Sequence, residues 1–190
     1  MDLFHELALY ATEARFVRLH RDRPSQERTN GCILAASPEL VLVHEFNDFA
    51  PDGYRLLRLR DIEAVDREHH EILWESILRD EGLLVGVDIE PLPRLDSMRN
   101  AIADLHATYG RMIIVCEDDD EDVEDFFIGH VVEIGADVIT FLHFDADGAW
   151  ETEPHEILIE EITKVQFRVP YLEIFWRHLR DEPPIPPLGG

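Results

Sequence analysis

Leu9-Tyr10-Ala11-Thr12-Glu13-Ala14-Arg15 and Leu105-His106-Ala107-Thr108-Tyr109-Gly110-Arg111 carry Leu, Ala, Thr and Arg at matching places, 96 residues apart. Outward from this pair the match continues. Gly31 falls on Gly129 and Phe46 on Phe144 at an offset of 98. Leu59, Ile62 and Val65 fall on Ile159, Ile162 and Val165 at 100, and Leu78-Arg79-Asp80-Glu81 falls on Leu179-Arg180-Asp181-Glu182 at 101. The offset changes only in stretches that read as loops, where a folded unit accepts insertions. Matches that stay collinear over a whole chain point to an internal duplication. The chain divides accordingly into a first module (1–82), an extended linker (83–95), a second module (96–182) and a proline-rich tail (183–190).

Each module predicts the same series of elements. Leu3, Leu7, Ala11 and Ala14, and Met98, Ile102, Leu105 and Tyr109, recur at helical spacing. Asp96 or Ser97 can cap the second of these helices and Gly110 suits its end. A short strand follows (16–20 or 112–116), with Val17 and Leu19, or Ile113 and Val115, expected to share a face. Further strands begin near Gly31 or Gly129, run 40–46 or 138–144, and carry Leu57 and Leu59 or Ile157 and Ile159 inward. Asp61–Val65 and Glu161–Val165 form a corner into a fifth strand. A closing helix then carries Ile72, Leu73, Ile77 and Leu78, or Leu172, Ile174, Phe175 and Leu179. In the linker Val85, Val87 and Ile89 alternate, as an added edge strand would.

Helix, five short strands with a corner before the last, then helix, resembles the Sm-like and SH3-like small barrels. The resemblance implies an α+β chain made of two bent-barrel modules, expected to pack about a pseudo-twofold. The Asp/Asn and Arg-Gly signatures of RNA-binding Sm proteins are not matched: Phe46-Asn47-Asp48 and Val65-Asp66-Arg67 stand in the corresponding places, without a glycine after the arginine, and Val165-Gln166-Phe167-Arg168 departs further.

The composition narrows the partners. Among 190 residues there are 41 Asp and Glu against 17 Lys and Arg, a net charge of −24, and Lys164 is the one lysine. That balance argues against a nucleic-acid binder, which needs a basic footprint, and against docking on anionic lipid. No apolar run approaches the roughly 20 residues of a membrane span, and the opening Met1-Asp2-Leu3-Phe4-His5-Glu6 is acidic where a signal peptide is basic. With two cysteines and no disulfide framework, a cytoplasmic protein is expected.

The acidity is uneven. Residues 1–95 hold 11 arginines and 19 acids, a net of −8; residues 96–190 hold 6 cations and 22 acids, a net of −16. Glu117, Asp118, Asp119, Asp120, Glu121, Asp122, Glu124 and Asp125 place eight carboxylates in nine residues, while the aligned loop of the first module carries Arg21, Arg23 and Arg28. Like charges so dense attract a basic partner or another copy's arginine loop, and these eight are the candidate partner-binding residues. Asp145-Ala146-Asp147-Gly148 with Glu151 has too few ligands for a calcium loop and suits a tight hairpin. His20, Cys32, Cys116 and His130 pair a His with a Cys in each module, and only their convergence would make a zinc site. No catalytic motif, cofactor loop or metal motif is present.

The expectation is a non-enzymatic acidic binding or adaptor protein, without cofactor, whose partner is a basic protein or a second copy. An inhibitor or immunity-type protein for a basic toxin is one concrete form. The alternatives are a small-molecule or metal-dependent function in the cleft between the modules, and Sm-type RNA binding.

Overall fold

Each long helix starts where the sequence supplies a cap. In the computed structural model, which describes residues 2–22, 28–84, 89–117 and 124–188, the Asp2 carboxylate accepts from the His5 N–H and opens helix α1 (Leu3–Thr12). Glu68 and Glu71 form a capping box for α2 (His69–Asp80). Ser97, not Asp96, caps α3 (Met98–Tyr109), and Gly110 closes it at φ 68°. Pro170 occupies the first turn of α4 (Pro170–Arg177), where its missing N–H costs nothing.

Between the helices run ten strands: β1 (Phe16–Arg21), β2 (Arg28–Ala36), β3 (Leu40–Asn47), β4 (Ala50–Arg58), β5 (Ile62–Asp66), β6 (Met112–Glu117), β7 (Glu124–Ile134), β8 (Val138–His143), β9 (His155–Leu158) and β10 (Lys164–Phe167). A 3-10 turn at Leu59–Asp61 makes the corner before β5. All ten join one antiparallel sheet in the order β5-β1-β2-β3-β4-β10-β6-β7-β8-β9. The protein is therefore α+β, with a ten-stranded antiparallel sheet and four α-helices among the described residues.

Two expectations change here. The sheet does not close into separate barrels: β4 and β10 pair across the middle, Tyr54 opposite Phe167 and Leu57 opposite Lys164, leaving β5 and β9 as the edges of an open sheet. Nor are the halves (residues 1–95 and 96–190) related by a twofold. A twofold joins like edges, whereas here the last strand of one series, β4, meets β10, the strand that opens the other series, head to tail. The strand order within each half is the same.

The sheet is strongly curled. β1 and β6 stand five places apart in the order, about 24 Å across a flat sheet at the usual strand spacing. Yet Arg21 at the end of β1 forms an ion pair with Glu117 at the end of β6. Part of the bending sits at Gly31 and Gly129. A Cβ at Gly31 would collide with the carbonyl oxygen of His44, and one at Gly129 with that of Leu142. Just beyond each glycine the register shifts, between Ile33 and Ala35 in β2 and between Val131 and Glu133 in β7, and such bulges raise strand twist.

The largest core lies under α3 and draws on both halves. Leu40, Leu42 and Leu56 of β3 and β4 share it with Ile102, Leu105, Met112, Ile114 and Phe141. A second core gathers Leu7 of α1 with Val17, Leu19, Val43 and Leu57. Val17 and Leu19 share a face as expected, and so do Ile113 and Val115, but the two pairs are not counterparts: Met112 and Ile114 lie beneath a helix as Val17 and Leu19 do, while Ile113 and Val115 face α4. β6 is covered on both sides, so its unbroken apolar run gave no alternation from which to choose a face. The closing helix is also turned from its expected orientation. Ile72, Leu73 and Ile174 are exposed, and α2 instead buries Glu71, Glu75 and Leu78. In the linker, Val85 and Val87 lie outside the described residues, and Ile89 is buried in the central core.

Candidate functional site

The acidic run occupies the β6–β7 hairpin. Its two ends are held by pairing, Glu117 opposite Glu124 and Cys116 opposite Asp125. Asp118, Asp119, Asp120, Glu121 and Asp122 lie outside the described residues. Glu124 and Asp125 are exposed, beside a part-exposed Phe126. Glu117 is different in kind. It is buried, bonded to the buried guanidinium of Arg21, and accepts a hydrogen bond of 2.6 Å from the Thr163 hydroxyl. Thr163 is itself fixed, its N–H donating to the Val115 carbonyl at 3.0 Å. The root of the acidic hairpin is thus tied to the root of the arginine hairpin β1–β2 within the chain. Arg23 lies outside the described residues, and Arg28 begins β2 at the surface.

The His/Cys quartet does not gather. His20 Nε2 lies 2.6 Å from an Asp66 oxygen, and Cys32 is buried among Phe16, Phe46 and Leu78. Cys116 lies at the margin of the central core, and His130 packs against Trp150 and Trp176. Burial pushes both thiols up to about 12, with nearby carboxylates adding to the shift. Both are therefore protonated at neutral pH and poor nucleophiles. Among the described residues no three metal-binding side chains come together. The Asp145–Gly148 segment is a hairpin turn: the Asp145 carboxylate accepts from the Asp147 and Ala149 N–H groups, and Gly148 takes φ 75°.

Three features had no signal in the sequence because each needs residues distant along the chain. A cavity of about 600 Å³ opens at the seam between the halves, lined by Glu39, Arg58, Arg99, Asp137, Leu158 and Glu160 among others; the Arg58 guanidinium in it donates to the Ile162 carbonyl at 2.6 Å. His44 stacks on Tyr54 at 4.7 Å, and Tyr54 on Phe167 at 5.2 Å, so an aromatic row crosses the seam. Burial, with Arg168 nearby, pushes the His44 imidazole down to about 4. Lastly, the proline-rich tail is held on the second half by hydrogen bonds with His130 and His106, and Trp150 donates to the Asp181 carbonyl just before it.

The chain matches no protein-family model, no curated protein and no solved structure. No helix among the described residues is long and apolar enough to cross a membrane.

Proposed function

We propose that this chain is a duplicated module of Sm-like architecture that works as a non-enzymatic acidic docking protein for a basic protein partner. The observation that carries the docking role is where the positive charge goes. Among the described residues, nine arginines form ion pairs with carboxylates of the same chain: Arg15, Arg18, Arg21, Arg55, Arg60, Arg67, Arg79, Arg94 and Arg111. Arg58 and Arg99 donate to backbone carbonyls. These cations are matched within the chain, which leaves the surplus of carboxylates, densest in sequence at the β6–β7 hairpin, without cations of its own to balance it. A field of one sign speeds encounter with the opposite sign and selects among partners.

The duplication is supported by element order and by matching contacts. Gly31, Cys32 and Ile33 pair with Glu45, His44 and Val43, as Gly129, His130 and Val131 pair with His143, Leu142 and Phe141. The RNA-binding alternative loses support at Arg67, which is bound to Glu75 at 2.9 Å. The seam cavity favours the small-molecule alternative as the second reading, since it lies in the cleft between the halves and combines charged groups with apolar walls.

The test is affinity capture by the full chain from its own cell extract, at low and at about 0.5 M salt, where screening acts within a few ångströms. The proposal expects a basic protein retained at low salt and released at high salt. A captured partner that is acidic, or one whose retention ignores salt, contradicts it.

A further inference from the structure

Residues 183–188, Pro183-Pro184-Ile185-Pro186-Pro187-Leu188, cannot extend the sheet as a regular strand, because four of the six lack a backbone donor. Such a segment prefers the extended polyproline conformation, in which the carbonyls are left without internal partners. The second half supplies donors for two carbonyls of this segment and for that of Asp181 just before it. The Trp150 indole Nε1 donates to the Asp181 carbonyl at 3.0 Å. His130 Nε2 lies 3.1 Å from the Ile185 carbonyl and His106 Nε2 2.9 Å from the Leu188 carbonyl, and with only an oxygen acceptor opposite, each imidazole is the donor. One of the few amides the segment has, that of Leu188, donates to the Val131 carbonyl at 3.0 Å.

The donors are built into the fold. His130 is fully buried and His106 is 6% exposed. His130 stands 5.1 Å from the Trp150 ring, which meets Trp176 edge-on at 5.6 Å. A buried imidazole without a hydrogen bond is costly. Every polar contact here is made to main-chain atoms, so what is recognised is a backbone that presents free carbonyls, with no charge requirement. This is the chemistry by which aromatic grooves with N–H donors read proline-rich segments.

The structure assigns this groove of Trp150, His130 and His106 as a binding site for an uncharged proline-rich segment of a partner protein, with the chain's own tail seated in it as an intramolecular competitor. The tail's effective concentration beside its groove is high, so an outside segment binds only when it displaces the tail. The site is separate from the acidic hairpin, and its binding is insensitive to salt.

Nuclear magnetic resonance on the full chain tests this, using the indole signals of the three tryptophans. The probe is a synthetic peptide with the sequence of residues 181–188, capped at both ends and carrying Asn and Gln in place of Asp181 and Glu182 so that it is uncharged. The variant is the full chain with Pro183, Pro184, Pro186 and Pro187 all changed to Gly, which softens the tail and leaves the groove intact. The expected result is that the peptide binds the softened chain at least tenfold more tightly than the native chain, returns the Trp150 indole signal to its native position, and does so equally at low and high salt. Adding Trp150→Phe should weaken that binding at least fivefold. No binding to the softened chain, binding that leaves the Trp150 indole unmoved, or equal binding of an all-glycine version of the peptide overturns the proposal. Should the softened chain unfold, Trp150→Phe alone in the native chain is expected to speed hydrogen exchange at the Leu188 N–H at least tenfold, and an unchanged rate overturns it.

Discussion

Helices α2 and α4 lie against the same place on their respective halves and fill it with opposite chemistry. The residues turned inward on α2 are Glu71, Trp74, Glu75 and Leu78; their counterparts 101 positions later are Leu172, Phe175 and Trp176 on α4 and Leu179 just beyond its end. In the first half Glu75 binds Arg15, Arg67 and Arg79 and accepts from the Phe16 N–H. In the second half its counterpart Trp176 packs edge-on to Trp150 and Phe144, with the Arg111 guanidinium 5.5 Å from its ring centre. Arg15 and Arg111 are themselves counterparts, and Arg111 keeps a carboxylate partner in Glu173. The frame is shared and the filling is not. A charged cluster and an aromatic cluster can occupy one backbone seat provided each satisfies its own polar groups, which is why the two halves agree in element order while agreeing little in side chains.

The comparison can be broken most sharply where the halves meet. Arg21→Met removes the buried guanidinium that Glu117 binds, and removing one partner of a buried ion pair costs about 3–5 kcal/mol. Adding Glu117→Met should recover most of that loss, as measured by urea unfolding; a double variant as unstable as the single one would show that the pair does not bridge the halves. The next largest effect tests the shared frame. Gly31→Ala and Gly129→Ala each push a Cβ into a facing carbonyl and should cost about 3 kcal/mol apiece, at the upper end of overpacking penalties. Equal losses sharpen the comparison, and a loss in one half only breaks it.

Glu75 separates the fillings. Burial works to raise its carboxyl, but the Phe16 N–H and the arginines around it prevail and hold it below the usual range. Glu75→Gln should therefore cost about 2 kcal/mol at neutral pH, as for a lost charge-assisted hydrogen bond. The difference from the native chain should shrink as pH falls through the depressed value, because the native carboxylate is then protonated too. Trp176→Phe should show no such dependence. A smaller effect belongs to His44. With an unfolded value near 6.5 and a folded value of about 4, its burial favours the native state fully above pH 6.5, and that contribution declines as pH drops toward 4. His44→Phe keeps the stack on Tyr54 and should flatten that part of the melting-temperature profile; an unchanged profile would mean that His44 is not held neutral.

Much of this frame could be read from the chain. The first helix is expected over 3–14 and found at Leu3–Thr12; the third strand, expected over 40–46, is found at Leu40–Asn47. The collinear self-match in the sequence carried this, because a pattern read twice distinguishes a structural requirement from an accident. The helix faces were missed for a physical reason. Apolar periodicity places Ile72 and Leu73 inside, but Arg15, Arg18 and Arg67 wait on the sheet side, and the buried carboxylates of Glu71 and Glu75 meet them there. The head-to-tail junction, the Arg21–Glu117 pair and the tail groove each depend on residues many positions apart, and no local pattern records such contacts. Of the candidate site, Glu117 belongs to the buried root, Glu124 and Asp125 to the surface.

The acidic hairpin carries the smallest expected effect on stability and the largest on association, and that contrast is the centre of the account. Exposed charges add about 0–1 kcal/mol each to folding but govern encounter at low ionic strength. The direct measurement is the full chain with Asp118, Asp119, Asp120 and Asp122 changed to Asn, compared with the native chain for melting temperature and for affinity toward the captured basic protein at low salt. The account predicts a melting temperature within about 2 °C of native, less than 1 kcal/mol for a chain of this size, together with an affinity at least tenfold weaker. Unchanged affinity at low ionic strength would contradict it and leave the carboxylates with no role in docking.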